Sequence, residues 1–124
     1  MRFEKDMVRE ILLAIEASDT DPRELINLEI PGRSSEEVAY HVQLLAEAGF
    51  IEAQELSDMG CYDWRAQRLT FQGHEFLDTI REPEIWRTTK ENAKKVGGAG
   101  VQMLFEIGKA CIKQKLIEHG LHVG

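Results

Sequence analysis

The chain's four histidines and two cysteines are the residues best suited to catalysis or metal binding, and their spacing favours neither. His41 and His74 fall in helical patterns without a Cys, His and carboxylate set of the size a metal site needs around them. His74-Glu75 lacks the x-x-His of a zinc-protease helix. His119-x-x-His122 stands at the C-terminal end. Cys61 and Cys111 are isolated, with neither CxxC spacing nor the density of a disulfide framework, and read as reduced thiols of a cytoplasmic protein. Gly97-Gly98-Ala99-Gly100 follows a helical pattern instead of a strand and lacks the Lys-Ser/Thr of a phosphate loop. No Ser or Cys has an identifiable base partner. The expectation is a protein that is not an enzyme, with no metal and no cofactor.

Binding chemistry is better represented. Arg23, Arg33, Arg65 and Arg68 are of the type that holds phosphate, and Tyr40 and Gln43 are of the type that reaches base edges. Glu36, Glu37 and Glu47 share the helix of Tyr40 and Gln43 and oppose such contacts by repulsion. In residues 1–82, eight Lys and Arg face eighteen Asp and Glu, a balance of −10; in residues 83–124, seven face four, a balance of +3. Every Lys except Lys5 lies in the second part. The segment 57–63, Ser-Asp-Met-Gly-Cys-Tyr-Asp, carries no cation, while Met59, Tyr62 and Trp64 are types enriched where proteins meet.

The elements that position these residues follow from periodicity and punctuation. Asp6 is placed to cap a helix on which Met7, Val8, Ile11, Leu12 and Ile15 recur at helical spacing to about Ala17. Asp21 and Pro22 read as the start of a short second helix, 22–27, and Leu28-Glu29-Ile30 as a short strand. Ser34 or Ser35 caps a third helix, Ser34 with Glu37 fitting a capping box, and the helix buries Val38, Val42, Leu45 and Ala46 and ends at Gly49. Strands are expected over 50–56 and 64–69, joined by a loop. Thr70 caps a fourth helix with Phe71, Phe76, Leu77 and Ile80 as buried positions, and Gly73 in its first turn implies close packing. Pro83 opens a helix to about Val96, anchored by Ile85 and Trp86; the Gly97–Gly100 joint follows. Val101, Leu104, Phe105, Gly108, Ile112 and Leu116 form one stripe of a last helix, either folded back on the rest or paired with a second chain as an oligomer interface.

With 124 residues, 43% of them hydrophobic and 30% charged, the chain has the size and composition of one soluble domain with an appended arm. No apolar run approaches the roughly 18 residues that span a bilayer. The N-terminus lacks an apolar stretch of secretory type, so no membrane association and a cytoplasmic location are expected.

Residues 39–51, Ala-Tyr-His-Val-Gln-Leu-Leu-Ala-Glu-Ala-Gly-Phe-Ile, resemble the recognition-helix end of bacterial winged-helix repressors of the arsenic-sensor and multiple-antibiotic-resistance types. Leu69-Thr70-x-x-Gly73 is similar to their strand-to-helix corner. The chain departs from those groups in having no cysteine metal ligands of the arsenic-sensor kind and no basic wing tip. Residues 6–16, 40–49 and 68–78, with the lysines and paired glycines of 86–98, resemble across almost the whole length the family catalogued as domain of unknown function 2513, found in bacteria and their phages or mobile elements. That resemblance implies a winged helix with a helical tail and no assigned activity.

The fold expected is therefore α+β: a winged helix-turn-helix over 1–82, with a three-helix core and a β-hairpin wing, and a C-terminal helical arm over 83–124. The leading expectation for function is a DNA-binding regulator that contacts the duplex through Arg23, Arg33, Tyr40, Gln43, Arg65 and Arg68. The alternative is an acidic protein-interaction module, an adaptor or nucleic-acid mimic, that docks on a basic protein partner. Homodimerisation through the last helix is a third, structural expectation.

Overall fold

The computed structural model describes residues 1–98 and 100–120. Ala99 of the glycine joint and His122 of the C-terminal histidine pair lie outside the described residues. The elements run α1 (Lys5–Ala17), α2 (Ser35–Glu47), β1 (Ile51–Glu55), β2 (Trp64–Leu69), α3 (Phe71–Ile80), α4 (Pro83–Lys95) and α5 (Val101–Glu118). The two strands form one antiparallel sheet, which makes the chain α+β. It divides into two compact units, Met1–Glu75 and Phe76–Gly124.

In the first unit α1 buries Met7, Val8, Ile11, Leu12 and Ile15 at helical spacing. It begins two residues earlier than its sequence implies. Glu4 occupies the N-cap and Asp6 sits in the first turn, because the Glu4 N–H is held by His41 Nε2 at 2.8 Å, which fixes where the helix starts. α2 is entered through the expected capping box. Ser34 Oγ accepts from Glu37 N–H at 3.1 Å, and the Glu37 carboxylate accepts from Ser34 N–H at 3.2 Å. The Ser34 N–H holds the Glu37 carboxyl below its ordinary range. The box therefore stabilises the helix above the usual carboxylate pKa and loses that contribution as pH falls through the depressed value.

Residues 22–27 do not form the expected helix, and 28–30 form no strand. One turn closes there, with Arg23 N–H donating to Asp21 Oδ1 at 2.8 Å and Glu24 N–H to Asp21 O at 2.8 Å. The next donor leaves the pattern: Ile26 N–H bonds Ala66 O on β2 at 2.8 Å. A helix needs that N–H for its own ladder, so the bond to the sheet keeps the segment open.

Gly49 lies at φ +84° and turns the chain from α2 into β1, a conformation that side-chain-bearing residues rarely adopt. β1 pairs with β2 from Ile51↔Leu69 to Glu55↔Trp64, with a bulge between Glu52 and Ala53. The far end of the hairpin closes through Asp58 and Cys61, each N–H donating to the other's carbonyl. The near end is locked by Thr70, whose Oγ1 donates to Gly49 O at 2.7 Å and accepts from Gly73 N–H at 3.1 Å. Replacing Thr70 with Ala is expected to lower stability by about 1–2 kcal/mol, the range of a lost N-cap, measured as a shift in the urea midpoint.

Phe71 is 76% exposed, against the expectation that it is buried. The buried row of α3 is Gly73, Phe76, Leu77 and Ile80. Phe71 stands two residues before Gly73, about 200° round a helix of 3.6 residues per turn, and so faces the other way.

The second unit takes Phe76, Leu77 and Ile80 from α3 together with α4 and α5. α4 and α5 run antiparallel, with Lys115 Nζ on α5 at 3.5 Å from Glu84 at the start of α4. Ile85, Trp86 and Ala93 are buried from α4, and Val101, Leu104 and Phe105 from α5. Thr89 is buried yet satisfied, its hydroxyl donating to Ile85 O at 2.7 Å. A Cβ at Gly108 would come within 2.9 Å of Thr79 Cγ2, so the α5 backbone approaches its neighbour closely there.

A candidate interaction face on α2 and the hairpin

Four of the six residues singled out for nucleic-acid contact are arginines, and each turns to a carboxylate. Arg23 pairs with Asp21 at 2.9 Å. Arg33 is held between Glu4 and Glu37, the latter at 3.9 Å, and is only 25% exposed. Arg65 pairs with Asp63 at 3.2 Å, and Arg68 reaches Glu52 at 3.6 Å across the strands and donates to Leu69 O at 3.0 Å. No two of these arginines share a partner. The Asp21–Arg23 pairing lowers the Asp21 pKa and raises that of Arg23.

The other two residues are brought together. Tyr40 and Gln43 lie one turn apart on α2, both half-buried. Tyr62 folds from the hairpin loop onto this helix and donates its hydroxyl to Gln43 Oε1, while Gln43 Nε2 lies 3.5 Å from Glu47 Oε2. Burial, then the negative charges of Glu55 and Glu47, then Tyr40, push the Tyr62 hydroxyl pKa up. Tyr40, Gln43, Glu47, Glu55 and Tyr62 thus make one face from two elements. Tyr40 is fixed edge-on against His41, with ring centroids 5.5 Å apart. His41 is itself buried, bonded through both ring nitrogens and stacked on Phe3.

Sequence spacing did not reveal the partnership of Tyr62 with α2, because the two residues stand 19 apart and a loop separates them. The loop does signal adaptability through Met59, which is fully exposed at the turn. Trp64 at the start of β2 is half-buried, and its Nε1–H is shielded without an acceptor.

In the last helix the expected interface stripe is divided. Val101, Leu104, Phe105 and Gly108 pack inside the second unit, and Ile112 and Leu116 are half-buried. Among the described residues no group of three or more His, Cys, Asp and Glu is arranged to hold a metal ion. No helix among them is long and apolar enough to cross a membrane.

These features define a class: a small α+β protein with a helix-and-hairpin unit and a helical hairpin, presenting a tyrosine-bearing acidic face. The chain belongs to the family described as Hypothetical protein (DUF2513), whose model matches residues 2–100. It is 34% identical over 117 residues to an uncharacterized protein of Haemophilus influenzae, an alignment that covers 94% of this chain and 99% of that one. No solved structure matches.

Proposed function

We propose that Met1–Glu75 is a winged-helix-type module that serves as a protein adaptor, and that its α2–hairpin face docks on a partner rich in Lys and Arg. The observation that carries this reading is the pairing of all four candidate DNA-contacting arginines with carboxylates of the unit itself. Seven Lys and Arg stand against sixteen Asp and Glu in residues 1–75, a balance of −9. Such a field repels a phosphate backbone and draws a cationic partner. Tyr40 and Tyr62 supply large amphipathic contact area with few rotamers to freeze, and Glu47 and Glu55 beside them suit guanidinium or ammonium groups. The order α1, turn, α2, β1, β2 supports the winged topology, with the Ile26–Ala66 bond standing where a third strand would pair.

A second reading, duplex DNA, is favoured by one observation. The arginine pairs at 23, 65 and 68 are exposed, and exposed pairs contribute only about 0–1 kcal/mol, so phosphates can displace the carboxylates. Fluorescence anisotropy separates the two. An Arg-rich labelled peptide is expected to bind, more weakly as salt rises, and to lose about tenfold affinity in a Tyr40→Ala variant, the loss of one aromatic anchor. A mixed-sequence duplex is expected not to bind even at low salt. Duplex binding with a steep salt slope, abolished by Arg33→Ala with Arg68→Ala, would instead establish the DNA reading.

A further inference from the structure

α5 has a second, largely apolar face opposite the buried one, interrupted by Gln114. One face, Val101, Leu104, Phe105 and Gly108, is consumed inside the second unit. On the other, Met103, Ile107, Ala110, Gln114 and Ile117 recur at spacings that alternate between four and three residues. That alternation is the heptad seam of helices that pair along their length. The seam runs for about 21 Å at 1.5 Å per residue. Met103 and Ile117 are 50% and 52% exposed, Ala110 and Gln114 are exposed, and Ile107 is half-buried. Ile107, Ala110 and Gln114 line an open cleft of about 810 Å³ whose other wall is α4 with its C-cap, including Ile85 and the exposed Val96. A groove of this form between two helices accepts a third helix.

The charges say which helix fits. Glu82, Glu84 and Glu118 lie at one end of the α4–α5 hairpin, as the Lys115 contacts with Glu82 and Glu84 establish, and Lys94 and Lys95 lie at the other. Two copies side by side in the same direction would set lysines on lysines. Reversed, each acidic end meets a basic end. The seam's flank repeats this logic, with Glu106 and Lys113 one heptad apart on α5. When Ile107 of one helix packs against Ala110 of an antiparallel twin, Glu106 of each copy falls opposite Lys113 of the other. Glu106 now holds Lys109 at 3.1 Å, but both are about half exposed, and such surface pairs exchange readily.

We propose that the chain self-associates as an antiparallel dimer, α5 on α5 of a second copy, through Met103, Ile107, Ala110, Gln114 and Ile117, with Glu106–Lys113 pairs across the two-fold axis. The proposal is independent of what the α2–hairpin face binds.

Sedimentation equilibrium of the full chain tests it. The wild type is expected to sediment as a dimer. Met103→Glu and Ile107→Glu are each expected to give a monomer with unchanged helical circular dichroism, since neither residue belongs to the buried stripe. Glu106→Lys is expected to weaken the dimer about tenfold by setting like charges opposite each other twice, and Glu106→Lys with Lys113→Glu to restore it. A wild type that is monomeric at every concentration overturns the proposal, as does a dimer indifferent to both Met103→Glu and Ile107→Glu. A dimer broken by those two variants but untouched by Glu106→Lys overturns the antiparallel register.

Discussion

Replacing Gly73 with Ala is expected to destabilise the protein by about 3 kcal/mol or more, the upper range for overpacking against an unyielding neighbour. A Cβ at this position would lie deep inside van der Waals contact with the carbonyl oxygen of Phe50 and 3.0 Å from its carbonyl carbon. Both atoms are main chain, so no rotamer change relieves the clash. Phe50 is fully buried, and its carbonyl accepts the Thr70 N–H at 3.0 Å. The chain cannot retreat there without opening the corner where α2, β1, β2 and α3 meet. Ala is otherwise about 1 kcal/mol better than Gly within a helix, so a measured loss is the clash reduced by that gain. A urea melt of Gly73→Ala with an unchanged or higher midpoint would show that the corner relaxes freely and that the close approach is not a constraint.

Removing the polar function of His41 is expected to cost about 2 kcal/mol, close to one buried donor left without a partner plus one lost hydrogen bond. The ring is 1% exposed. Its Nδ1 lies 2.8 Å from Glu37 O and its Nε2 accepts from Glu4 N–H at 2.8 Å, an arrangement met only by the neutral tautomer with the proton on Nδ1. His41→Phe keeps the ring and its stacking on Phe3 while deleting both bonds. The Glu4 N–H then loses its acceptor at the start of α1. Chemical denaturation gives the magnitude, and amide exchange at Glu4 gives the location. Exchange at Glu4 as slow in the variant as in the wild type would show that the histidine does not hold the helix start.

Local chemistry was readable in the sequence, and bonds over long separations were not. The Ser34–Glu37 box, the left-handed Gly49 and the Thr70 cap each depend on residues within a few positions and stand as read. The close approach at Gly73 also stands, readable from a glycine in a helix's first turn although the backbone it meets, at Phe50, is distant in sequence. The error at Phe71 is one of local helix phase, and the two misplaced helix starts trace to distant partners. Asp6 is the cap its residue type implies, but His41, 37 residues beyond Glu4, holds the Glu4 N–H. Pro22 looked like a helix start, but Ala66 takes the Ile26 N–H. For the candidate face, the arginines were visible as residue types. Asp21 and Asp63, two positions away from Arg23 and Arg65, offered a local hint of neutralisation. The Glu4 partner of Arg33 and the Tyr62 partner of Gln43 offered none, because only the folded chain brings them together.

The two ends of the β-hairpin differ in how much foreign chain they tolerate. At the Asp58–Cys61 end both backbone bonds close locally, Ser57 and Asp63 bond each other just inside, and Met59 touches nothing. A peptide inserted between Met59 and Gly60 therefore adds only the modest entropy of a longer surface loop and leaves the strand register intact. At the Gly49–Thr70 end a single methyl group on Gly73 already has nowhere to go. Length variation and engineered labels in this protein belong at residues 59–60, where a reporter can be carried without disturbing the core.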